Sequence, residues 1–222
     1  MNTSQIWFFV SCLSPITLIV GLIVSFLYFR YISIGYRLLI VYLAGALIMD
    51  LLFRYFGLYS HLKYNIFLFP IFGFFELAVL SVLYYKYIFK SVSKSLLVFI
   101  ITMLLLIASE IFSINKLLEI KTFNSFGKVI ADVSIIWFCL LYYWQVFKGK
   151  IPVKSKYVTL NAAILIFFSI NLVISLPINF LVNEKLSVVI FFWVVNLISI
   201  LLFYFFLIYL IWQDGKTRKI LQ

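Results

Sequence analysis

The fold class this sequence predicts is an all-α polytopic membrane bundle of seven transmembrane helices, and three observations lead there. Hydrophobic residues make up 66% of the chain and charged residues only 11%, with a mean hydropathy of +1.18. A soluble domain carries about 25% charged residues. The apolar residues gather in runs of roughly twenty, the length a helix needs to cross hydrocarbon. The runs are apolar on both faces, whereas membrane β-strands alternate polarity over about ten residues. Six to eight spans fit into 222 residues, so the chain reads as one transmembrane domain with almost nothing outside the bilayer.

The first run, about Gln5 to Phe29, is too long for a signal-peptide core and contains Pro15, which a membrane bundle tolerates. A basic link, Arg30 to Arg37, leads to the second span, about Arg37 to Gly57, and then to a polar turn, Leu58 to Tyr64, with the single His61. The third span runs from about Asn65 to Tyr85, past Pro70, Gly73 and Glu76, and ends in Tyr84, Tyr85 and Tyr87 at an expected interface. Lys86, Lys90 and Lys94 follow; the fourth span is about Ser95 to Phe112. Asn115 to Asn124 is the longest polar connection. The fifth span, about Ser125 to Phe147, closes on Tyr142, Tyr143 and Trp144. The sixth is about Tyr157 to Val182, with Asn161, Asn171, Pro177 and Asn179. After the Asn183-Glu184-Lys185 turn, the seventh runs from about Leu186 to Trp212 and a charged tail ends at Gln222.

Loop charges orient these spans. Arg30, Arg37, Lys86, Lys90, Lys94, Lys148, Lys150, Lys154, Lys156, Lys216, Arg218 and Lys219 fall on one side, against Lys63, Lys116, Lys121, Lys128 and Lys185 on the other. The positive-inside rule then places the N-terminus outside and the C-terminus in the cytoplasm. It also accounts for the net charge of +11 without nucleic acid, for which there is no soluble basic module. Cys12 and Cys139 lie in separate apolar runs and read as small hydrophobes.

The informative feature is charge inside the spans. Asp50 and Arg54 stand four residues apart, one above the other on a helix face. Glu76, Glu110 and Asp132 interrupt later runs, at depths that put them in the outer half of the bundle or at its centre. Each lone charge costs about 2.5–3.5 kcal/mol on insertion scales, so such residues face interiors and mark functional sites. The expectation is an outward-facing pocket lined by Asp50, Arg54, Glu76, Glu110 and Asp132, with Asn171 and Asn196 as further ligand-binding candidates. The asparagines also read as glue between helices.

Chemistry is constrained mainly by omissions. No HExxH, no GxSxG and no cysteine near His61 is present, so no catalytic residue, metal site or cofactor is expected. Paired carboxylates leave an intramembrane lipid hydrolase open, and small carriers also use seven helices. A retinal pump needs a lysine deep in the last span, and Leu186 to Trp212 has none.

The stretches Leu160-Asn161-Ala162-Ala163-Ile164-Leu165-Ile166-Phe167-Phe168-Ser169, Trp193-Val194-Val195-Asn196 and Ile200-Leu201-Leu202-Phe203-Tyr204 are similar to those of small seven-helix inner-membrane proteins of Bacteroidota. Pro70 to Glu76 resembles that group's proline–glutamate element in the third span, with a longer spacing here. The resemblance implies a place in the bacterial inner membrane. Members of such families are often encoded beside histidine kinases lacking their own sensor domains. It therefore implies a histidine kinase or other signalling protein as partner and adds no catalytic residue, in agreement with the charged pocket, which reads as a site for a small-molecule or lipid ligand.

Overall fold

The computed structural model describes residues 3–59, 65, 67–89, 94–112, 126–181 and 186–220. The His61 turn beyond Tyr59, the Asn115–Asn124 connection and the Asn183–Lys185 turn lie outside the described residues. Helix dominates what is described: α1 (Thr3–Leu27), α2 (Ile34–Arg54), α3 (Leu68–Leu83), α4 (Lys94–Phe112), α5 (Phe126–Phe147), α6 (Ser155–Leu181) and α7 (Leu186–Ile220). Six of these contain stretches long and apolar enough to cross a membrane, and α1 contributes a shorter apolar stretch, Cys12–Leu27. Single π-helical turns, Tyr55–Tyr59 and Tyr84–Ile88, extend α2 and α3.

The helices close into a ring. α1 packs on α2, α2 on α3, α3 on α5, α5 on α6, α6 on α7, and α7 returns to α1. Helix α4 stands outside, against α3 and α5. Its buried positions, Leu96, Ile100 and Ile107, repeat at helical spacing on one side, while Leu97, Val98, Ile101, Leu105 and Leu106 are exposed. Large apolar side chains such as Phe26, Leu105 and Leu202 are exposed on the outside, while the apolar interior also holds the fully buried Glu76, Asp132 and Asn161. A water-soluble protein would arrange them the other way round.

Two boundaries differ from the sequence reading. Helix α2 begins at Ile34, inside the expected link, because Asp214 of α7 accepts the Ser33 backbone N–H at 2.8 Å and occupies a donor at the helix start. The residues expected as a charged tail continue α7 to Ile220. Their side chains are engaged there, with Asp214 3.7 Å from Arg218 one turn on and 3.4 Å from Lys156 of α6. The Tyr36 hydroxyl donates to the Lys156 carbonyl at 3.1 Å. One aspartate therefore ties together the basic ends of α2, α6 and α7.

Candidate functional site

Helices α3 and α5 run parallel and in step. A Cβ on Gly73 would stand 3.1 Å from the Lys128 Cα and 3.3 Å from the Ala131 Cβ, and one on Gly127 would stand 3.0 Å from the Pro70 Cβ. Glycine at both positions lets the two backbones approach as close as membrane helices do at small residues. Three turns further on, Tyr84 meets Cys139 with the same 55-residue offset. This shared stripe sets Glu76 of α3 opposite Lys128 and Asp132 of α5.

The Lys128 ammonium donates to Glu76 Oε2 at 2.5 Å and to Asp132 Oδ1 at 2.7 Å. Both carboxylate side chains are 0% exposed, and that of Lys128 7%. The Tyr42 hydroxyl, from α2, donates to Glu76 Oε1 at 2.8 Å. Aromatic faces complete the surroundings of the ammonium, with the Phe168 and Phe72 ring centroids 5.3 and 5.7 Å from Nζ, inside the range of cation–π attraction. Tyr204 of α7, also buried, lies within electrostatic range of Glu76 and Asp50. Asp132 Oδ2 is buried without a hydrogen-bond donor among the described residues.

A second polar knot lies along the same interface. The Tyr84 hydroxyl donates to Asn161 Oδ1 of α6 at 2.5 Å, and Asn161 Nδ2 donates to the Cys139 carbonyl at 3.2 Å. Having given its proton to Asn161, the Tyr84 oxygen is left to accept from the Cys139 thiol 3.0 Å away. Tyr84 opens the π-helical turn, and its carbonyl accepts the Phe89 N–H at 2.8 Å. Its side chain is turned into the bundle, 1% exposed.

The candidates named from sequence separate into groups. Glu76 and Asp132 meet on Lys128. Asp50 and Arg54 form their own i,i+4 ion pair at 2.8 Å, with side chains 21% and 25% exposed. Glu110, at the end of α4, accepts the Gly127 N–H at 2.5 Å and so caps the start of α5. Asn171 is buried one turn beyond Phe168 on the same face of α6. Asn196 Oδ1 on α7 is buried with no hydrogen-bond partner among the described residues.

Lys128 corrects the sequence reading, which counted it among the loop charges of the less basic side. It is buried inside α5 and centres the site. The signal was present, because Lys128 precedes Asp132 by the same four residues that link Asp50 to Arg54. Its position two residues into the helix concealed it. Tyr42 carried no such signal among so many aromatics.

Chemically, the site is one cation held between two carboxyl groups in an apolar surround, joining three helices. Among the described residues no group of three or more His, Cys, Asp or Glu residues could hold a metal ion. No protein family, characterised protein or solved structure matches the chain.

Proposed function

We propose that this chain is a sensor- or receptor-like integral membrane protein whose switch is the buried Glu76–Lys128–Asp132 triad. The observation that carries the reading is that Lys128 bridges carboxylates of two helices while Asp132 Oδ2 has no donor among the described residues. A structural ion pair is most stable when every oxygen is satisfied. An incompletely satisfied one inside a membrane is poised to respond to a ligand. Glu76 and Tyr84 lie two turns apart on α3, as do Asp132 and Cys139 on α5, so a shift at the triad would reach the Tyr84–Asn161 knot through rigid helix. Beyond it lies the basic end, oriented toward the cytoplasm of a bacterial inner membrane, where a histidine kinase or other signalling protein would read the change. A ligand shifts such an equilibrium only by its differential affinity for the two arrangements.

The test is mass spectrometry of protein purified from native membranes and incubated with native lipids and small metabolites, beside Glu76→Gln and Asp132→Asn. A receptor retains an unmodified molecule that raises its melting temperature, and the variants lose that rise. Product that accumulates with wild type and vanishes in a variant would make the protein a lipid hydrolase instead. Accumulation inside vesicles against a gradient would make it a carrier.

A further inference from the structure

The triad's charges do not balance. One ammonium faces two carboxyl groups, both 0% exposed, so with both ionised the cluster carries a net negative charge in an apolar interior. The donors are also shared unequally. Glu76 receives Tyr42 on one oxygen and Lys128 on the other. Asp132 receives Lys128 on Oδ1 and no donor on Oδ2 among the described residues. A carboxylate accepting two donors is held in its charged form, and one with a bare buried oxygen is not.

The other groups around the triad leave the imbalance in place. From α2 comes Tyr42, whose hydroxyl is committed to Glu76, and from α7 the buried Tyr204, within electrostatic range of Glu76. Helix α6 presents the Phe168 ring, and α3 presents Phe72. Asp50 pairs with Arg54 on α2, and Glu110 of α4 is engaged on the Gly127 N–H.

We propose that the triad is a proton-binding site at neutral pH: Asp132 Oδ2 takes one proton from hydronium, releasing water and becoming a neutral carboxylic acid, while Glu76 remains the counter-ion of Lys128. The proposal deepens the sensor reading, on which it rests for its use, by naming the proton that sets the charge of the switch on which the retained ligand acts. Loaded, the triad is neutral and one ion pair holds α3 to α5. Unloaded, Asp132 and Glu76 repel each other across that interface and draw in water.

Infrared spectroscopy tests it directly, on full-length protein in neutral buffer with carbon-13 in the aspartate side-chain carboxyls. The chain has only three aspartates, and the other two, Asp50 and Asp214, sit on Arg54 and on Lys156 with the Ser33 N–H. A carboxylic-acid carbonyl band that shifts with the label and disappears in Asp132→Asn is expected. Should that variant fail to fold, the band must survive in both Asp50→Asn and Asp214→Asn. The proposal is overturned by a wild-type spectrum without a label-sensitive acid band, by a band that persists in Asp132→Asn, or by its loss in either other variant. None of these results touches the ligand-retention test, so the sensor reading stands or falls separately.

Discussion

Gly73 and Lys128 sit so close that a methyl group on the glycine would stand 3.1 Å from the lysine Cα, which is backbone and cannot swing aside. Gly73→Val should therefore push α3 away from α5 and stretch the Glu76–Lys128 bond. Overpacking of this kind costs about 1–3 kcal/mol. Thermal unfolding in detergent measures it, and a variant as stable as wild type would mean that the interface is looser than described.

Neutralising Lys128 alone should cost more than neutralising the whole triad. Lys128→Met leaves the buried Glu76 carboxylate without its cation, and removing one partner of a buried pair costs about 3–5 kcal/mol in soluble proteins. The triple change Lys128→Met, Glu76→Gln, Asp132→Asn should recover much of that loss. Additive losses across the series, read by thermal unfolding, would show that the three residues do not interact.

Asp50→Asn should be milder than Glu76→Gln. Its ion pair with Arg54 is about one-fifth exposed, whereas the Glu76 side chain is 0% exposed, and the loss on removing one partner grows with burial. Unfolding of the two single variants side by side gives the ranking. A larger loss for Asp50→Asn would move the centre of the site to α2.

Tyr84→Phe removes the hydroxyl that joins α3 to α5 and α6 while keeping the ring. Interhelical hydrogen bonds in membranes average about 0.6 kcal/mol and reach about 1.7, and the upper end is expected here because both partners are buried. In an Asn161→Leu background the same change should cost less, with only the Cys139 thiol left as partner. A double-mutant cycle on unfolding free energy reads the coupling, and zero coupling would remove the Tyr84 knot from the signalling route.

Helical membrane architecture was legible because it depends on composition and run length, which no tertiary contact can reverse. Asp50–Arg54 was equally legible, since partners four residues apart are fixed by helix geometry alone. Glu76 and Asp132 could be flagged as costly but not assigned to each other, because the 55-residue register of α3 on α5 is set by the small side at Gly73, Gly127 and Ala131. Glu110 looked the same as they did in sequence. Its role as the cap of the next helix depends on where α4 ends relative to Gly127, which periodicity does not reveal. Lys128 was misread because the positive-inside rule counts charges near span ends without asking whether they point inward.

Helix α4 lies outside the ring although it falls between α3 and α5 in the chain, and this has a consequence for biogenesis. Glu76 is made 52 residues before the lysine that neutralises it. At about 5–20 residues per second the ribosome needs roughly 3–10 s to deliver that partner. During that interval α3 must wait beside the insertion machinery with its carboxyl group protonated or hydrated. Arrival of α5 is then the step that commits the nascent chain, and α4 has only to stay to one side while its neighbours on either side find each other.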